Sequence, residues 1–138
     1  MAYLDLDGDR LKVVHCGDEA CAAGNAVAVV DGSSCIAEAT SVAIGNDGLP
    51  VIAYGAAIPA LKLVHCGDPG CTSGNVVTTV EPGGAHGLHP TLRIGADGPP
   101  VISYYGANGS LTLAHCRTPT CEAAALGRIR RHLRSLSP

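Results

Sequence analysis

The chain has 138 residues, the size of one domain, with 46% hydrophobic residues, 15% charged residues and a formal net charge of −3. This charge does not indicate nucleic-acid binding, and no apolar run approaches the roughly 20 residues that cross a membrane as a helix. Phe and Trp are absent, so the core must be built from aliphatic side chains, Ala and four Tyr.

One segment occurs three times along the chain. It reads LKVVHCGDEAC at 11–21, LKLVHCGDPGC at 61–71 and LTLAHCRTPTC at 111–121, so the copies are spaced by fifty residues with no insertion or deletion. A period of this length indicates a repeat architecture in which each repeat is one supersecondary unit.

The first unit is incomplete. It has three apolar runs, at 2–4, 11–16 and 25–30, and lacks the run that opens the later units. We predict three strands here.

The second unit is whole. Four runs, at 41–45, 50–54, 61–66 and 75–80, are separated by short turns, and the Asp47-Gly48 turn has the residues that tight hairpins require. The last run is rich in β-branched residues, which favour strands. Four short strands joined by such turns predict an antiparallel meander.

The third unit begins in the same way and then departs from the repeat. Its runs at 91–95, 101–105 and 111–116 match the second unit, but residues 122–138 have a different composition. Apolar residues at helical spacing alternate there with arginines: Leu126, Ile129, Leu133 and Leu136, and Arg128, Arg130, Arg131 and Arg134. We predict a short basic amphipathic helix, which covers the edge of the last unit or contacts an anionic partner.

Six of the seven cysteines form three C-x4-C pairs, each at the end of a predicted third strand: Cys16/Cys21, Cys66/Cys71 and Cys116/Cys121. We predict a disulfide in each pair and therefore an extracellular or secreted protein. Free thiols and a metal site are the alternatives, but for a metal site neighbouring His and Cys on a strand point to opposite faces and cannot easily share one ion. Cys35 is left over as a candidate for pairing between chains.

Histidine precedes the first cysteine of every pair, at His15, His65 and His115. We predict buried, hydrogen-bonded spacers between packed sheets rather than catalysts, because no acid or nucleophile repeats beside them. His86 and His89, in the loop before the third unit, are candidates to face a ligand.

Carboxylates at Asp5, Asp7 and Asp9 surround a glycine, a pattern that can gather oxygen ligands for calcium. The alternative is an ordinary solvated turn, since the corresponding loops of the other units have no carboxylates. The calcium site is the one cofactor site that the sequence suggests.

The pattern S-x-x-I-G-x-D-G-x-P-V-I-x-Y followed by L-x-x-x-H-C-x-x-x-x-C resembles the tandem repeats of bacterial secreted β-propeller-like proteins, over about residues 2–121. The resemblance implies propeller blades and secretion but no reaction. Asp5 to Asp9 also resembles the calcium loops of integrin-type propeller repeats.

The expected fold is thus all-β: about two and a half propeller-type blades, with a partial blade at 2–30, a full blade at 41–80 and a partial blade at 91–121, followed by the C-terminal helix. Closed propellers have at least about four blades. We therefore expect either a fragment of a longer array or self-association that completes a ring.

The function that these features favour is a non-catalytic, secreted binding module for glycan or protein ligands. The alternative is a structural or truncated repeat with no ligand of its own. A glycosidase is less favoured, because it needs a pair of carboxylates and the chain has only the Asp5–Asp9 cluster and no Trp to stack on a sugar.

Overall fold

The computed structural model describes residues 1–5, 10–32, 36–56, 60–81, 88–106 and 110–129. Every regular element in these ranges is a strand. In chain order they are β1 Ala2–Asp5, β2 Arg10–His15, β3 Ala26–Asp31, β4 Ile36–Ile44, β5 Pro50–Ala56, β6 Ala60–His65, β7 Val76–Glu81, β8 Leu88–Ile94, β9 Pro100–Tyr105, β10 Leu111–Cys116 and β11 Ala124–Ile129.

The strands form three antiparallel sheets, which we call the first, second and third sheets. The first is β1-β2-β3, the second β4-β5-β6-β7 and the third β8-β9-β10-β11. The all-β class, the meander order and the shortened first sheet are as the sequence predicts. Ring closure is not seen among the described residues, so the propeller arrangement stays a prediction.

The hairpin that opens the second sheet shows how the sequence sets a tight turn. Gly48 has a φ of 81°, a conformation that glycine adopts without strain. Asp47 Oδ1 accepts the Leu49 N–H at 3.0 Å, and the Gly45 N–H bonds to the Leu49 carbonyl at 2.9 Å. A side chain on Gly45 would meet the Asp47 carboxylate at 2.9 Å. The same turn recurs fifty residues later, with Gly98 at a φ of 104°.

The second sheet is packed on both of its faces, and strand alternation divides its side chains between two cores. Odd-numbered residues of β6, such as Leu63, pack against the third sheet, and even-numbered ones, such as Val64, pack against the first. Every residue of β5 is buried. Burial on both faces explains why this strand reads as a continuous apolar run rather than an alternating one.

The predicted C-terminal helix is wrong where the structure can test it. Residues Ala124–Ile129 are β11, which pairs with β10 from Leu111↔Ile129 to Cys116↔Ala124. An unpaired edge of β10 offers backbone hydrogen bonds that outweigh the helical spacing of a segment containing Gly127. The third sheet therefore has four strands, and residues 130–138 lie outside the described part of the chain.

No helix in the described ranges is long and apolar enough to cross a membrane.

Candidate functional site

A groove recurs between neighbouring sheets. The first groove, about 430 Å³, lies between the first and second sheets, and the second groove, about 470 Å³, lies between the second and third. Five lining positions of one groove reappear fifty residues later in the other: His15/His65, Ile44/Ile94, Gly48/Gly98, Pro50/Pro100 and Pro69/Pro119. The groove is thus a property of the repeat.

Each groove has two walls that come from different sheets. In the second groove, His65 stands at the end of β6 on one wall. The opposite wall belongs to the third sheet: Ile94 ends β8, Pro100 begins β9, and Pro119 lies in the C-x4-C turn. The fold positions these groups together because the hairpin turns and the C-x4-C turns lie at the same end of the stacked sheets.

The polar wall of the second groove is held by a hydrogen bond between a histidine and a carboxylate. His65 Nε2 lies 2.8 Å from Asp47 Oδ2. The Leu49 N–H that bonds to the Asp47 carboxylate, and secondly His65, hold the pKa of Asp47 below its ordinary value. The carboxylate therefore stays negatively charged at neutral pH.

The pair repeats in the third sheet, where His115 Nε2 lies 3.0 Å from Asp97 Oδ2. The predicted hydrogen bonds of His65 and His115 are thus present, but the expectation that no acid repeats beside these histidines is wrong, because the turn aspartates Asp47 and Asp97 contact them. The predicted burial is wrong for His15 and His115, which are exposed, whereas His65 is 14% exposed. The reason is position: only His65 is covered by both an Asp turn of its own sheet and a sheet packed opposite.

The three C-x4-C pairs lie at disulfide distance, with Cα–Cα separations of 4.7, 4.9 and 4.8 Å for Cys16–Cys21, Cys66–Cys71 and Cys116–Cys121. This fits the prediction of one disulfide per unit. Cys66–Cys71 and Cys116–Cys121 close the turns that contain Pro69 and Pro119, so these two pairs restrain the proline walls of the grooves.

A carboxylate organises the first two of these turns. Asp68 accepts the N–H groups of Gly70, Thr72 and Ser73 and the Thr72 hydroxyl at 2.7–3.2 Å. These bonds, led by the Thr72 hydroxyl, hold the pKa of Asp68 far below its ordinary value. Asp18 does the same in the first turn, where the Ala22 N–H contributes most to the lowered pKa. Thr118 takes this position in the third turn.

Two buried hydrogen bonds join the sheets, and sequence reasoning missed both. The Tyr54 hydroxyl of the second sheet donates to Asp31 of the first, and the Tyr104 hydroxyl of the third donates to Glu81 of the second. The repeat marks these positions, since the tyrosines are fifty residues apart and so are the acids, but it does not show that they meet.

The calcium loop is not assembled by the described residues. Asp5 Oδ2 lies 2.6 Å from Lys12 Nζ, and Asp7 and Asp9 lie outside the described ranges. In those ranges no three His, Cys, Asp or Glu side chains come together as a metal site would require. The calcium site stays a prediction.

The remaining candidates lie away from the grooves or beyond what the structure describes. His89 is exposed, with a φ of 50°, at the start of β8. His86 and Cys35 fall outside the described residues.

Comparison with known proteins returned no match: no protein-family model, no curated protein and no solved structure is significantly similar to the chain.

Proposed function

We propose that this chain is a non-catalytic, secreted binding module of the propeller type, whose inter-sheet grooves bind a segment of a protein ligand. The observation that carries the proposal is the recurrence of one groove between two pairs of sheets, with His, Ile, Gly and two Pro at equivalent positions. Concave sites with apolar walls and a few placed polar groups are typical of binding sites. Three disulfides support an extracellular location.

The lining of the second groove indicates the kind of ligand. Its apolar part is formed by Val51, Ile94 and prolines, and its charged groups are the Asp47 and Asp97 carboxylates. These surroundings favour a peptide segment in which an apolar side chain stands beside Lys or Arg. Neither groove is lined by Tyr, Phe or Trp, so the large aromatic rings on which sugars commonly stack are missing from this part of the molecule.

Asp47 is not suited to act as the general acid of glycoside hydrolysis. A glycosidase needs one carboxyl group whose pKa is raised so that it can act as a general acid. The pKa of Asp47 is shifted in the opposite direction by the Leu49 N–H and by His65.

A purely structural role is the second candidate, and one observation favours it. The His115–Asp97 pair forms although His115 is exposed and no described sheet packs on its face. The pair therefore joins the hairpin turn to the neighbouring strand in the second and third sheets, whether or not a groove is complete.

Screening a peptide library against the oxidised full chain tests the proposal. Pro119→Arg places a bulky cation in the second groove at an exposed position, and Ala123→Arg makes the same change at an exposed residue of the same turn that does not line the groove. Basic–apolar peptides should bind the unmodified chain and Ala123→Arg alike. Their affinity for Pro119→Arg should fall at least about tenfold, which is 1.4 kcal/mol.

Three outcomes would overturn the proposal, provided that thermal unfolding shows both variants folded. Equal binding by Pro119→Arg would move the site away from the groove. Binding of glycans without peptides would give the wrong ligand class. The absence of any binder would support the structural role.

A further inference from the structure

One face of the third sheet exposes side chains that the repeat elsewhere buries. Leu111 and Leu113 of β10 are 50% and 43% exposed, whereas Leu61 and Leu63, at the same positions of β6, are fully buried against the third sheet. Tyr105, which pairs with Leu111 across the strands, is 48% exposed. We call this surface the outer face of the third sheet.

The first sheet, at the other end of the row of three sheets, also exposes side chains whose equivalents in the second sheet are buried. Tyr3 pairs with Lys12 as Tyr54 pairs with Lys62, so the two tyrosines occupy equivalent positions on their sheets. Tyr54 is fully buried, but Tyr3 is 37% exposed. Val14 is also partly exposed, whereas its counterpart Val64 is buried. We call this surface the outer face of the first sheet.

The chain itself shows how these two kinds of face pack. Where the second sheet meets the third, the face that carries Leu61 and Leu63 packs against the face that carries Tyr104, Ile102 and Ala114. Where the first meets the second, Leu11 and Val13 pack against the face of Tyr54 and Val64. The two outer faces are the unpaired halves of this same junction, which occurs twice within each chain.

We propose that the outer face of the third sheet binds the outer face of the first sheet in a second copy of this chain. Burial of Leu111, Leu113, Tyr3 and Val14 supplies the driving force, since large exposed apolar side chains grouped on one face mark an interaction surface. The contact is head-to-tail, because two different faces of the chain meet. It does not depend on a ligand in the grooves.

The number of copies follows from closure of the ring. The described residues of each copy form three sheets, and closed propellers contain about four to eight blades. Two copies bring six sheets together, and a third copy would exceed this range. The assembly is therefore a closed dimer with two identical head-to-tail junctions.

The contact between copies lacks the tyrosine–carboxylate hydrogen bond that joins neighbouring sheets within one chain. Leu11 and Leu61 pair with Asp31 and Glu81, the acceptors of the inter-sheet tyrosine bonds, but Leu111 pairs with Ile129. No carboxylate stands at that position for Tyr3 of the other copy. The dimer should therefore dissociate on dilution before the internal junctions open.

The test is the native mass of the oxidised full chain, measured by size exclusion with light scattering over a concentration series. We expect twice the 13.9 kDa of one chain. Leu113→Glu, on the outer face of the third sheet, and Val14→Glu, on that of the first, should each give monomers. Leu126→Glu and Val27→Glu are matched controls that should stay dimeric. Leu126 is exposed and lies on the other face of the third sheet. Val27 is the equivalent of Val77, which remains 45% exposed although the first sheet packs on that face of the second, so Val27 should also stay outside the contact.

Mixing the two monomeric variants identifies the geometry. Leu113→Glu keeps an intact first sheet and Val14→Glu an intact third sheet, so an equimolar mixture should form a one-to-one dimer through a single junction. Four results would overturn the proposal: a monomeric unmodified chain at every concentration, open-ended polymers, a dimer that resists Val14→Glu, or a mixture that stays monomeric. Circular dichroism of each variant separates loss of association from loss of folding.

Discussion

The Tyr54 hydroxyl donates a hydrogen bond to Asp31 Oδ2, 2.5 Å away, and so joins the second sheet to the first. Tyr104 and Glu81 repeat this bond between the third sheet and the second, again with a sequence separation of 23 between donor and acceptor. All four side chains are buried or nearly so. A carboxylate at such a position needs hydrogen-bond donors to offset its lost hydration. Each bond therefore favours one packing position of a sheet against the next.

Replacing the donor should therefore weaken the stack. Tyr104→Phe keeps the ring and removes the hydroxyl that Glu81 accepts, and we expect the free energy of unfolding to fall by about 1.5–3 kcal/mol. Urea unfolding of the oxidised protein measures it. Tyr105→Phe is the matched control, compared at a dilution at which the chain is monomeric, since Tyr105 is 48% exposed in the single chain and the change should be close to neutral. Equal effects of the two substitutions would contradict a stabilising role for the buried bond.

The same relationship predicts a loss of stability in alkali. Burial, and secondly the Asp31 carboxylate, hold the pKa of Tyr54 far above its ordinary value of 10.0. The unfolded chain releases the Tyr54 proton as the pH rises through about 10, whereas the folded chain retains it. The unfolded state then binds fewer protons, and stability falls with rising pH.

The measurement compares the unmodified chain with Tyr54→Phe between about pH 8 and pH 11, in a Cys35→Ser background that limits thiol–disulfide exchange. The stability advantage of the unmodified chain should shrink above about pH 10. A difference that stays constant across this range would show that Tyr54 ionises equally in both states.

The strands could be predicted from the sequence, but the relationship between sheets could not. The dipeptide Asp47-Gly48 predicts a hairpin turn by itself, and the fifty-residue repeat predicts the same turn at Asp97-Gly98. The Tyr54–Asp31 bond depends instead on which face of one sheet meets which face of the next. Strand alternation shows that two faces exist, without showing their partners.

The prediction of a C-terminal helix was wrong for a related reason. The spacing of its apolar residues is a local signal for a helix, whereas β11 forms because β10 has an open edge beside it. The Arg117 N–H bonds to the Ala123 carbonyl at 2.8 Å, and this closes a turn without the asparagine that the other units use. In the first two turns Asn25 and Asn75 accept the N–H groups of Gly17 and Gly67.

The C-x4-C turns should differ in their resistance to reduction. Asp68 holds the second turn through several backbone N–H groups, whereas Thr118 at the same place in the third turn accepts one, from Glu122 at 3.2 Å. A turn that keeps its shape holds its two cysteines together and favours re-closure of the disulfide. Limited reduction followed by alkylation and mass spectrometry should therefore show Cys116–Cys121 opening before Cys66–Cys71.

Two reciprocal substitutions test the cause of this order. Asp68→Ala should speed reduction of Cys66–Cys71 alone, and Thr118→Asp should slow reduction of Cys116–Cys121 alone. The pKa of Asp68 lies well below its ordinary value, so its carboxylate is charged and accepting throughout the neutral range in which the reduction is done. If neither variant changed its own disulfide, the order would come from exposure of the sulfurs rather than from the carboxylate.

Thr112 of β10 offers a site where stability can be gained. It is fully buried, and within the described residues its Oγ1 has no hydrogen-bond partner. The equivalent residues of the other sheets are Lys12 and Lys62, whose amino groups reach the carboxylates of Asp5 and Asp31. A buried hydroxyl without a partner loses its hydration and gains nothing in return. Thr112→Val, which replaces the hydroxyl with a methyl group of similar size, should raise the free energy of unfolding by about 1 kcal/mol.

Thr112→Ser is the control for this prediction, because it keeps the hydroxyl and loses the methyl group, and it should lower stability. Gly106 leaves room for either side chain, since a Cβ there would lie 2.4 Å from Thr112 Oγ1. Urea unfolding of the oxidised variants gives both values under one set of conditions. A loss of stability in Thr112→Val larger than in Thr112→Ser would mean that the hydroxyl has a hydrogen-bond partner in solution, and the predicted gain would be wrong.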